Sequence, residues 1–146
     1  MSFSEAEVDR SIQEYRLLHH LENHQSALDY VNAGWFYHLK MNDSNAAGRF
    51  FFRAVLKEPH CLHHRVELAR FLANDNRLHQ ATSWWQRSLR LALKQKALPN
   101  ELALIYLELA KVYRQMNRLE RYSHFLHLSL KACPGYEPAL RLLDLA

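Results

Sequence analysis

The chain has 146 residues, enough for one domain with a sizeable core. Hydrophobic residues make up 49% with seven Phe, seven Tyr and three Trp, which excludes a disordered chain, and three Gly with four Pro are too few for a many-turned β fold. The formal charge is +4, with cations and anions interspersed and no block of five Lys/Arg, which argues against nucleic acid as the ligand; two cysteines, Cys61 and Cys133, do not make a disulfide framework.

The opening MSFSEAEVDR is acidic and polar, unlike a signal or transit peptide. No apolar run approaches the ~18 residues of a membrane span, so a cytoplasmic protein is expected. A first helix is predicted from Ser4, an N-cap with Glu7 in the capping-box position, and carries Val8, Ile12, Tyr15 and Leu18 at helical spacing. Residues 23–26 break that pattern, and Ser26 is a suitable cap for a second helix over 27–41. A third runs over 45–57 and stops before Pro59, which disfavours helix at the residue preceding it. The fourth spans 62–74 and ends at Asn74-Asp75-Asn76; the fifth spans 78–96. Asn100 is expected to cap a sixth over 101–116, and Asn117-Arg118 forms the next turn. A seventh covers 119–132 up to Pro134-Gly135, and a short helix follows Pro138. Connections this short fold each helix back on its predecessor.

The chain also repeats itself. Glu-Leu-Ala-Arg at 67–70 returns as Glu-Leu-Ala-Lys at 108–111, and Asn-Arg-Leu at 76–78 returns at 117–119, both 41 residues on. Ala47, Phe51 and Ala54 map onto Ala81, Trp85 and Ser88 at a spacing of 34. Periods in this range signal stacked helical pairs. The longer step places seven extra residues between Leu91 and Ala103, shared between the helices on either side.

These residues resemble the tetratricopeptide repeat (TPR) family. Ala47, Phe51, Ala54 and Pro59 stand where that family expects Ala, an aromatic, Ala and Pro; Leu68, Ala69, Leu72, Ala81, Trp85 and Ser88 follow in a second unit. Tyr106, Leu109, Ala110, Tyr113, Leu126, Ser129 and Pro134 make a third. The resemblance implies an all-α, right-handed α-solenoid of antiparallel pairs with seven to eight helices in a single domain. Its parts would be a cap (1–25), repeats over 28–61, 62–102 and 103–136, and a cap or further repeat over 137–146. The stretched step resembles the family's longer repeat variant. Two positions depart from the pattern: Gly34-Trp35 reverses the usual Leu-Gly order, and Tyr122 replaces a small residue, which should widen that helix pair.

The first helix of each pair would line a concave face. By the resemblance that face holds Asn32, Phe36 and Lys40, then His63, Glu67, Arg70 and Asn74, then Glu108, Lys111, Arg114 and Gln115. Such a mixed surface suits a peptide with apolar and acidic groups. The implied function is a non-catalytic protein-interaction scaffold; a small chaperone or a self-assembling module are the alternatives. The family's carboxylate clamp would fall on Asn32, Phe36, Glu67, Leu104 and Glu108. None is the required residue and two are acidic, so Hsp70/Hsp90 C-terminal tails are not expected ligands.

No catalytic motif or phosphate loop occurs, so no enzyme and no cofactor are expected. His60-Cys61-Leu62-His63-His64 concentrates metal-ligating side chains, as His19-His20-His24 and His124-His127 do more weakly. Without a second pair at finger spacing, local hydrogen bonding and no metal are expected. In Arg49-Phe50-Phe51-Phe52-Arg53, helical geometry cannot bury three consecutive rings, so Phe52 should be the most exposed. The last helix is apolar on more than one side, which raises a longer natural chain or a homodimer through the terminal helices.

Overall fold

The computed structural model describes residue 14 and residues 26–144. Among them every regular element is a helix: α1 (Ala27–Leu39), α2 (Ser44–Lys57), α3 (Leu62–Asn74), α4 (Leu78–Lys94), α5 (Pro99–Gln115), α6 (Leu119–Ala132) and α7 (Glu137–Asp144). The expected all-α class of helical repeats holds. The helix predicted from Ser4 lies outside the described residues except at Glu14, which is helical. The chain forms two compact units, Met1–Glu67 and Leu68–Ala146, with the boundary inside α3.

Local chemistry sets the helix ends. Ser26 caps α1 in a complete capping box: its Oγ accepts from the Asp29 amide at 3.1 Å, and Asp29 Oδ2 accepts from the Ser26 amide at 3.2 Å. Asp43 caps α2 by accepting from the Ala46 amide at 3.0 Å. Asn42, Asn76 and Asn117 follow α1, α3 and α5 in the left-handed region, at φ 52°, 61° and 59°. Asparagine tolerates that region better than most residues. Beyond Asn76 and Asn117 the Arg77 and Arg118 amides reach back to the Leu72 and Tyr113 carbonyls, both at 2.9 Å, the closing bond of a Schellman turn.

Several boundaries differ from expectation by one or two residues, among them the end of α1 at Leu39 rather than 41 and the start of α7 at Glu137; two have a clear local cause. Helix α5 begins at Pro99 rather than after Asn100, because proline has the backbone angle for the first helical position and lacks only an amide that would be unpaired there. Glu101 then accepts from the Leu98 amide at 3.3 Å, while the Asn100 side chain accepts from the Glu101 amide inside the helix. Helix α4 stops at Lys94, and Lys96 turns left-handed at φ 54° while the Ala97 amide bonds to the Ala92 carbonyl. The seven extra residues divide as expected. Helix α4 is three residues longer than α2, α5 is four longer than α3, and the intervening segments (58–61 and 95–98) match in length. The pair thereby gains about 10 Å of helix in total.

In the first unit, α1 and α2 bury Val31, Ala33 and Tyr37 against Ala47, Phe50, Phe51 and Ala54. Gly34 takes the closest approach, directly against the Phe51 ring. The reversed Gly34-Trp35 order is thus accommodated: Trp35 stands edge-on to Phe51, centroids 5.2 Å apart. Phe52 is the exposed member of the triple, as expected. In the second unit, α5 supplies a nearly continuous core (Ala103, Ile105, Leu107, Leu109, Ala110, Val112, Tyr113) against α4 and α6. Buried Ser129 donates to the Ala103 carbonyl at 2.7 Å, which satisfies its hydroxyl and ties α6 to α5. Helix α7 seats Ala139 and Leu142 against Leu107, Ala110 and Leu126, leaving Leu143 exposed; Leu145 lies outside the described residues.

Candidate functional site

The residues expected to meet a ligand are best followed unit by unit. In the first, Asn32 and Lys40 are exposed on α1, and Phe36 is half-buried with its ring edge-on to Tyr37. His63 is exposed at the start of α3. Glu67 behaves differently. It is buried, and its Oε2 accepts from the Trp35 indole at 2.7 Å. Burial without a partner would be costly for a carboxylate, and the indole supplies a charge-assisted hydrogen bond. Glu67 therefore holds α1 to α3. Nothing in the sequence singles out this pair, which is 32 residues apart.

In the second unit, Arg70 is half-buried and Asn74 exposed on α3. On α5, Glu108 is half-buried, while Lys111, Arg114 and Gln115 are exposed. Lys111 Nζ lies 3.4 Å from Glu108 Oε1, a pair one helical turn apart that contributes little in water. The Arg114 guanidinium lies over the Tyr122 ring, 5.6 Å from its centre. The outsized residue of the third repeat thus presents an aromatic face to a cation.

Tyr136, which sequence reasoning did not select, packs half-buried against Leu107, Ala110, Leu126 and Ala139. Its phenol is held above the ordinary tyrosine value by burial first and by the Glu108 carboxylate second, with Arg70 pulling the other way. Arg70 and Glu108, 38 positions apart in the chain, therefore act on one hydroxyl. The turn that carries Tyr136 follows Pro134-Gly135; its amide donates to the Cys133 carbonyl at 3.0 Å, and its ring packs against that cluster. On α5, Tyr113 stacks on Phe125 at 5.4 Å and its hydroxyl accepts from Gln86 Nε2 at 3.1 Å. Arg121 covers the same tyrosine ring at 5.4 Å.

A separate pocket of about 350 Å³ in the first unit is lined by Glu14, Tyr37, Asp43, Arg49, Phe50 and Arg53. The Tyr37 hydroxyl donates to Glu14 at 3.4 Å, and burial and then that carboxylate raise its pKa. Both charge signs line this pocket. Its walls come from α1, α2 and residue 14, a grouping that sequence spacing did not reveal.

The clamp positions hold Asn32, Phe36, Glu67, Leu104 and Glu108, with Glu67 on Trp35, Glu108 beside Lys111 and Leu104 half-buried. No helix of the described residues is long and apolar enough to cross a membrane.

No family model and no curated protein matches the chain. Solved structures do. The N-terminal domain of stress-induced protein-1 (STI-1) from C. elegans is 13% identical with a TM-score of 0.71, over 81% of this chain and 91% of that one. A crystal structure of MamA is 14% identical with a TM-score of 0.67, over 95% and 80% of the two chains. A second, MamA AMB-1, is 20% identical with a TM-score of 0.63, over 86% and 65%. The chain has the TPR-like fold of helical repeats that these structures share.

Proposed function

We propose that this chain is a non-catalytic interaction module of the cytoplasm that binds a peptide or protein segment along the first helices of its repeats. The observation that carries the reading is the α5 face. Lys111, Arg114 and Gln115 stand exposed there, backed by Arg70, Glu108 and the Tyr136 phenol. Exposed Lys111 and an Arg114 guanidinium that lies over the half-buried Tyr122 ring suit a segment that pairs acidic side chains with an apolar anchor. Asn74 adds hydrogen-bonding capacity in the same unit, while Asn32, Phe36, Lys40 and His63 offer the corresponding groups in the first. Glu67 contributes by holding Trp35 in place.

A free C-terminal carboxylate is the wrong ligand for this module. The clamp positions bring two carboxylates and no cation, which repel such a terminus. The test is affinity capture with the full chain, repeated with Lys111→Glu and Arg114→Glu. Both residues are exposed, so folding should survive and circular dichroism can verify it. Captured partners should drop sharply in both variants. Undiminished capture would move the binding site off the α5 face. Submicromolar binding of an EEVD-type tail peptide would contradict the exclusion.

A further inference from the structure

We infer that the turn between α2 and α3 is a site for a zinc-class divalent cation, held by Glu58, Cys61 and His64. The inference is independent of the peptide-binding reading. The carboxylate oxygen, the thiol sulfur and one imidazole nitrogen all lie within 4.8 Å of one another, and His64 Nε2 is 3.0 Å from Glu58 Oε2. A tetrahedral ion at ordinary bond lengths sets its donor atoms about 3.3–3.8 Å apart. Side-chain rotation of exposed Glu58 and half-buried Cys61 can supply that adjustment with no movement of the core.

Three features distinguish this cluster from histidines that merely hydrogen-bond nearby. His64 is 5% exposed, and its Nδ1 is buried with no partner. Its other nitrogen, Nε2, faces the Glu58 carboxylate and is the one placed to meet an ion. The turn is also preorganised: the Cys61 amide donates to the Glu58 carbonyl at 3.1 Å, and Arg65 Nε donates to the Pro59 carbonyl at 2.9 Å. Finally, the donors are one sulfur, one nitrogen and one oxygen, a combination that suits Zn²⁺ over the hard cations.

This grouping differs from the one the sequence suggests. His60 lies in the turn before α3 begins at Leu62, so His60 and His64 do not share a helical face. Glu58 takes that place, brought back to His64 by the turn at Pro59. Binding would release the Cys61 thiol proton and leave the fourth position to water or to His63, which is exposed with its ring 5.8 Å from that of His64. A bound ion would join the residue that ends α2 to the first turn of α3, so it should stabilise the first unit.

The chain holds ten histidines, so zinc stoichiometry by itself does not locate the site. Cobalt does, because a thiolate ligand gives Co²⁺ a near-ultraviolet charge-transfer band. The untagged full chain, reduced and stripped with chelator, is titrated with Co²⁺ at neutral pH and then with Zn²⁺. One equivalent of cobalt should produce the band, and zinc should abolish it. Cys61→Ser should remove the band and Cys133→Ser should keep it. Glu58→Gln should weaken cobalt binding about tenfold or more. Neither Cys61 nor Glu58 is a core residue, so these variants should fold, with circular dichroism as the check. Absence of the band in the unmodified chain, its persistence in Cys61→Ser, or unchanged affinity in Glu58→Gln each overturns the site.

Discussion

Replacing Gly34 by alanine sets helix propensity against packing, and the structure decides which prevails. In an isolated helix the exchange gains ~1 kcal/mol. At Gly34 an added Cβ would lie 2.7 Å from Phe51 Cε2 and 2.8 Å from Cδ2 and Cζ. Comfortable carbon contacts begin near 3.5 Å, so the ring must retreat by roughly 0.8 Å. Phe51 has no exposed surface and stands edge-on to Trp35, whose indole is bonded to Glu67. Its retreat therefore disturbs a buried chain of contacts. Overpacking of this kind costs ~1–3 kcal/mol. The upper end, less the propensity gain, leaves a net loss of ~2 kcal/mol. Urea unfolding followed by circular dichroism and tryptophan fluorescence should show that loss, and the midpoint temperature should fall by ~4–8 °C. In a Phe51→Leu background the clashing ring atoms are gone. There Gly34→Ala should be neutral or stabilising by up to ~1 kcal/mol. An alanine variant at least as stable as the parent would refute the reasoning.

Three further outcomes follow from the structure. Lys96 holds a left-handed conformation at φ 54° with its side chain exposed, so Lys96→Gly should stabilise by ~1 kcal/mol in equilibrium unfolding; a loss would mean that the lysine side chain makes an offsetting contact. Glu67→Ala removes the Trp35 acceptor and should cost ~2 kcal/mol, whereas Glu67→Gln keeps an acceptor and should lose clearly less; equal losses would show that the hydrogen bond is immaterial. Tyr37 and Tyr136 both titrate above the ordinary 10.0, chiefly through burial, so the folded state holds these protons more tightly than the unfolded chain. Their contribution to stability is complete below pH 10 and is lost as pH rises through the raised values. Tyr136→Phe and Tyr37→Phe should each make the alkaline decline of the unfolding midpoint shallower; an unaltered slope would count against the assignment.

The recurrences at 34 and 41 residues reappear as Asn42, Asn76 and Asn117, each in the left-handed region after the first helix of a repeat. Ser26 caps α1, as the break in the helical pattern over 23–26 implies. The seven extra residues lengthen α4 and α5 as their position implies. Asn100 was misread because it is a good cap in isolation, while the adjacent Pro99 is a better first residue of the helix. The candidate binding residues divide in the same way. Lys111, Arg114 and Gln115, which the resemblance puts on the binding face, are exposed, since they lie off the apolar stripe of α5. Glu67 is not, because its burial depends on an indole 32 residues away.

The sequence by itself determined the helices of the described residues, the Ser26 cap, the turn asparagines and the stretched repeat, because these depend on interactions between residues a few positions apart. Only the tertiary structure decided that Gly34 receives Phe51, that Glu67 serves Trp35, and that Arg70 and Glu108 act on Tyr136. It also put Glu58 rather than His60 beside His64. These meetings depend on how one helix lies against another. No local spacing encodes that, because burial and packing reward whichever side chains the crossing brings within reach.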